Sequence, residues 1–141
     1  MKHASILLFA IITSGCSPAA SNRPVSAPDP RIEANLSEIV AIEERRVKEQ
    51  KFLCEMGQGN VDDLLAAQER LSEARIELAM EKGQREEVEK ELQALLTNQR
   101  ESLERGEALL EEERESKANV NAARAAVLKA EVRLLRHQQG R

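Results

Sequence analysis

The sequence predicts an all-α chain, an elongated antiparallel coiled coil in which one long helix is flanked by two shorter helices. Three observations predict it. Charged residues make up 33% of the 141 residues and aromatic residues 1%, with no Tyr or Trp; such a chain cannot fill a thick globular core and suits a thin one. From residue 31 onward apolar residues recur at heptad spacing, the mark of helices that bury one narrow stripe. The stripe also repeats: Leu64, Ala66, Ala67, Leu71, Ala74, Ile76 and Leu78 return fifty-six positions later as Val120, Ala122, Ala123, Val127, Ala130, Val132 and Leu134. Fifty-six positions are eight heptads, so both copies fall in one heptad register.

Residues 1–15 carry a charged start (Lys2, His3), an apolar run from Ala4 to Ile12, and then Thr13, Ser14 and Gly15. This is the layout of a secretory signal peptide. The run is about half of the roughly 20 apolar residues that a spanning helix requires. Residues 16–30 form the next unit, because Ser17 to Pro30 holds all four prolines and no apolar periodicity. An extended spacer of this length reaches on the order of 40 Å.

Residues 31–141 are the helical domain. Ile32, Leu36, Ile39, Val40, Val47 and Leu53 mark a first helix over about 31–56, its stripe interrupted by Glu43 and Gln50. Gly57-Gln58-Gly59-Asn60 ends it, since Gly57 and Gly59 suit a left-handed terminator or tight turn and Asn60 can cap the next helix. Asp62 and Asp63 then lie where the helix dipole favours negative charge. The second helix is expected over about 61–112, with the seam Leu64, Ala67, Leu71, Ala74 and Leu78, an interruption from Glu81 to Arg85, and a resumption at Val88, Leu92 and Leu95. Gly83 costs about 1 kcal/mol in a helix interior, so a bend or junction fits there. A second reversal is expected near Glu112 to Ser116, followed by a helix over about 117–138 whose seam is Val120, Ala123, Val127, Ala130 and Leu134. Glu112 to Ser116 contains neither Gly nor Pro, which leaves open an alternative of one unbroken helix from Asp62 to His137. With both reversals formed, residue i of the first helix faces about residue 117 − i and Gln138 faces about Glu91. The two short helices would then meet end to end beside the long one.

Thr13-Ser14-Gly15-Cys16 resembles the lipobox of bacterial prolipoproteins. The resemblance implies cleavage between Gly15 and Cys16 and acylation of Cys16, and two or three acyl chains anchor a protein stably where one does not. Ser17 after the Cys implies, by similarity to the Gram-negative sorting rule, the outer membrane with the rod facing the periplasm. Gly57 to Ala79 is similar to the signature of the TolC-like outer-membrane efflux family, with Gly57, Asp63, Leu65, Ala67, Gln68, Leu71, Ala74, Arg75, Leu78 and Ala79 at that family's spacings. What this implies is a coiled-coil module in which a long helix is flanked by two end-to-end helices. It does not imply a channel, because the sequence has no alternating apolar segments for membrane strands.

Composition excludes several functions. The net charge is -4 with both signs interspersed, and there is neither a basic patch nor a set of aromatics on which bases could stack, so no nucleic-acid partner is expected. His3 leaves with the leader and His137 has no Cys or His at ligand spacing, so neither a metal nor any other cofactor is expected. The Glu pairs read as a solvated helix face rather than as acid and base groups, and no enzyme activity or small-molecule substrate is expected. The function expected is that of a non-enzymatic, membrane-anchored lipoprotein whose periplasmic coiled-coil rod forms a homo-oligomer or joins another coiled-coil envelope or efflux-type protein. The alternatives are a reduced TolC-like transport component and a structural envelope tether.

Overall fold

A computed structural model describes residues 29–140. The expected signal peptide, Cys16 and most of the spacer lie outside the described residues.

Among the described residues the chain forms four helices and no strand: α1 (Pro30–Glu55), α2 (Val61–Glu81), α3 (Arg85–Glu111) and α4 (Lys117–Gln139). Local chemistry sets their starts. The Asp29 carboxylate accepts the Arg31 N–H at 3.0 Å, with proline in the first turn of α1. Asn60 Oδ1 accepts the Asp62 N–H at 3.0 Å, and Asp62 and Asp63 occupy the first turn of α2. Ser116 Oγ accepts the Asn119 N–H at 3.1 Å and so starts α4. These side chains satisfy N–H groups that a helix start otherwise leaves without partners. α3 has no side-chain cap, but Glu86 and Glu87 lie in its first turn, where the helix dipole favours them.

The three helix ends share one construction. At the first, Gly57 N–H donates to the Cys54 carbonyl and Gln58 N–H to that of Leu53. At the second, Gly83 donates to Met80 and Gln84 to Ala79; at the third, Glu113 donates to Leu110 and Arg114 to Leu109. Each is a Schellman motif, which requires a left-handed residue just past the helix. Gly57, Gly83 and Glu113 take that role with φ of 69°, 65° and 58°.

Gly83 corrects the expectation of one long helix over 61–112. The chain does not bend there but reverses, and α2 and α3 pack side by side. The reversal brings Ile76 and Ala79 of α2 against Val88, Leu92 and Leu95 of α3. Glu81 and Arg85, which interrupt the stripe, flank the turn. With α2 and α3 beside each other, no long helix remains for two short ones to share. The reversal over 112–116 is present, although its left-handed residue is Glu113 rather than glycine.

Each helix packs on its neighbours in the chain, α1 on α2, α2 on α3 and α3 on α4. Cross-helix pairs show that the outer two packings are antiparallel. Glu33 meets Lys82 at 3.2 Å, Glu44 meets Arg75 at 2.9 Å and Glu43 meets Arg70 at 3.6 Å, close to the pairing of i with 117 − i. Between α3 and α4, Glu89 meets Gln138 at 2.9 Å, Arg100 meets Glu131 at 2.8 Å and Glu107 meets Arg124 at 2.8 Å. The two hairpins, α1–α2 and α3–α4, are offset by the sequence repeat: Glu55 and Glu111 end their first helices fifty-six positions apart, 111 minus 55. Gly57 corresponds to Glu113 and Asn60 to Ser116 at the same offset.

The core sits on α3 and its two neighbours. One cluster joins Ile76, Ala79, Val88, Leu92 and Leu95, and a second joins Leu96, Val127 and Ala130, with Leu134 packed against both. Ile76 and Leu92 are 1% and 2% exposed, and burying a side chain of that size contributes about 1.5–3 kcal/mol. The start of α1, the turn at 82–84 and the end of α4 share one end of the array, as the Glu33–Lys82 pair and the bonds from Arg85 to the His137 and Gly140 carbonyls record.

Candidate interaction surface

The seam residues divide by helix. In α2, Ala67 and Ala74 are buried while Leu64, Leu71 and Leu78 are half-buried. In α4, Val120, Val127 and Ala130 are buried and Ala123 and Leu134 half-buried. Leu65, Ile76 and Ala79 are also buried, because α2 lies between two helices and needs two apolar faces, of which the heptad run supplies one. The signal for the second face was Gly83 followed by Glu86 and Glu87, the same terminator-then-acid pattern that marks Gly57 with Asp62 and Asp63.

The turn residues have distinct duties. Gly57 supplies the left-handed conformation, and a Cβ there would meet nothing within 4 Å. Gly59 supplies room: a Cβ there would lie 2.6 Å from the Cys54 amide nitrogen and 3.0 Å from its Sγ. Cys54 is therefore half-buried beneath the turn. Gly15 and Cys16, the expected cleavage and lipidation positions, lie outside the described residues.

Ion pairs tie the helices across their polar edges. Arg75 on α2 reaches Glu44 on α1 at 2.9 Å and Glu91 on α3 at 3.4 Å, so one guanidinium links three helices. Its hydrogen bond holds the Glu44 carboxyl below the ordinary glutamate range, and Glu44 in turn raises Arg75 above its ordinary value. Arg133 on α4 grips both oxygens of Glu73 on α2, 3.0 Å from Oε2, and that bond raises the arginine's pKa. Glu43 is 8% exposed; Oε1 accepts from Arg46 at 2.7 Å, while Oε2 has no hydrogen-bond donor and faces Arg70 at 3.6 Å. A buried carboxylate costs much of what its ion pairs return, so Glu43 fixes the pairing of α1 with α2 more than it strengthens it.

His137 is engaged structurally. Its Nε2 meets the Arg85 carbonyl at 3.0 Å, while the Arg85 guanidinium donates to the His137 and Gly140 carbonyls at 2.8 and 3.0 Å. This ties the end of α4 to the start of α3 and satisfies carbonyls that a helix end leaves open. Among the described residues no group of three or more His, Cys, Asp or Glu could hold a metal ion, and no helix is long and apolar enough to cross a membrane. A cleft of about 220 Å³ between α2, α3 and α4 opens beside Gly106 and is lined in part by Leu65, Gln99 and Val120.

What the array offers outward is apolar surface on its edge helices. Ile32, Ile39 and Phe52 on α1, with Met56 at its cap, are 44–59% exposed, and Leu128, Val132 and Leu135 on α4 are 44–57% exposed. The repeat follows mainly the inner stripe of α4 and touches the outer residues only at Val132, the counterpart of Ile76. Their own spacing of four and three positions was the available signal. No protein-family model, no curated protein and no solved structure matches the chain.

Proposed function

We propose that this chain is a non-enzymatic lipoprotein, anchored through acylated Cys16, whose helices pair as antiparallel coiled-coil hairpins and present a rod for assembly with itself or with another coiled-coil envelope protein. The observation that carries this reading is the placement of exposed apolar side chains along α1 and α4, the two edges of the array. The row is closest on α4, where Leu128, Val132 and Leu135 follow one another at spacings of four and three on one face, and an apolar row of that kind on an edge helix suits a partner helix. The spacer between Cys16 and Asp29 would tether the end formed by the start of α1, the turn at 82–84 and the end of α4. The turns at 56–60 and 112–116 would then point away from the membrane. By the residue after Cys16, the membrane is the outer one and the rod faces the periplasm. The offset of eight heptads between the hairpins supports the coiled-coil part of the reading. The continuous helix that the efflux-family resemblance implies is divided into α2 and α3 at Gly83, so that resemblance adds no support for a transport role.

Metabolic labelling with an alkyne fatty acid, read with intact mass of the chain purified from membranes, tests the anchor. The expected product begins at Cys16, carries acyl chains, and loses the label in Cys16→Ser. A chain that retains residues 1–15 and takes up no label would sink the reading.

A further inference from the structure

We infer that the outward face of α4 is a second coiled-coil seam, and that its occupant is the same face of a second copy in parallel orientation. The direction of that pairing rests on the anchored-rod reading, whose partner it specifies. α4 is apolar on two opposite sides. Val120, Val127 and Ala130 face the core, while Ala125, Leu128, Val132 and Leu135 face away from it. A surface helix whose role ended with its own bundle would carry polar residues there.

The geometry of the stripe selects a helix as its occupant. At 3.6 residues per turn, Ala125 to Leu135 cover an arc of about 80°, narrower than the apolar face of a helix that lies on lipid. Spacings of three and four continue upstream to Asn121, so the stripe has the a and d positions of a heptad.

Two features select a second copy, parallel to the first. The seam itself is one: Val132 at an a position, between Leu128 and Leu135 at d, is the combination that favours parallel two-stranded pairing. The flanking charges agree. In a parallel pair Glu131 comes opposite Arg136 of the other copy; Glu131 meets Arg100 through Oε1, which leaves Oε2, and Arg136 has no ion pair among the described residues. Arg124 would approach Lys129 of the other copy, but Glu107 already neutralises it at 2.8 Å. An antiparallel pair with the same apolar layers would set Glu131 against Glu131 and Lys129 against Lys129. Chains anchored in one leaflet leave their rods at the same end, so their α4 helices stand parallel, and confinement to the membrane raises their effective concentration.

The test uses the full chain purified in detergent with its acylation state recorded by intact mass, and measures oligomeric state by light scattering and sedimentation. A dimer is expected, weakened about tenfold or more by Leu128→Glu or Val132→Glu, since each puts a carboxylate into the seam. Both positions are exposed in the single chain, so circular dichroism should show unchanged helicity. In a Cys54→Ser background, Leu128→Cys should oxidise to a self-link at position 128 located by peptide mass spectrometry, which an antiparallel pair would not give. A lipidated chain that stays monomeric, or that only binds anionic vesicles through α4, overturns the inference and leaves the anchor standing. An unlipidated parallel dimer does the reverse.

Discussion

Glu113 occupies the left-handed position that Gly57 and Gly83 fill at the other two turns. A non-glycine residue pays about 1–2 kcal/mol for that conformation, and it persists because α3 and α4 on either side are held in register by their ion pairs and shared core. Glu113→Gly removes the strain but gives the unfolded chain more freedom, worth about 0.4–1 kcal/mol. The net expectation is a stabilisation of about 0.5–1 kcal/mol in urea unfolding. Gly83→Ala should act in the opposite sense by a similar or somewhat larger amount, and purely through the backbone, because a Cβ there meets nothing within 4 Å. If Glu113→Gly destabilised the chain, backbone strain would not be what distinguishes this turn from the other two.

The helices differ in how firmly they are held. Every apolar residue of α1 remains at least partly exposed, and the buried residue of that helix is Glu43. α3, in contrast, buries Val88, Leu92, Leu95 and Leu96 and packs on both α2 and α4. Local opening should therefore begin in α1. Amide hydrogen exchange near neutral pH is expected to show the middle of α1 exchanging at least about tenfold faster than the middle of α3, and equal protection would show that α1 opens only with the whole. The same contrast explains what could be read from the sequence. α1, its terminator Gly57 and its pairing partner were legible because one helix against one neighbour needs one stripe. The sequence of α2 and α3 has the look of a single helix because each needs two stripes, and Ile76, Ala79, Val88 and Leu92 make sense together only once the chain has reversed at Gly83. The turn at Glu113 could be expected only from the repeat, since no residue type there demands it.

The whole array is joined across its polar edges by charged pairs, so its stability should depend on pH in a definite direction. Glu44 is held below the ordinary glutamate range chiefly by its hydrogen bond from Arg75, the residue that links α1, α2 and α3. Glu115 is lowered by the backbone N–H of Ser116 and by the Asn119 side chain, bonds that pin the turn between α3 and α4. A carboxylate with a lowered folded pKa stabilises the fold above its unfolded pKa, and that contribution disappears as pH falls through the folded value. The melting temperature, followed by circular dichroism, should be level near neutrality and decline as the pH falls into the usual carboxylate range and on below it. Glu44→Gln combined with Glu115→Gln should lower the neutral plateau and flatten the acid limb, because the groups that would take up protons are gone. Glu44 is 40% exposed in its ion pair, so high salt should reduce its share of the difference, whereas the backbone bond at Ser116 should be less sensitive. An acid limb unchanged by the double substitution would place the pH dependence in other carboxylates and leave these two junctions with no part in holding the hairpins together.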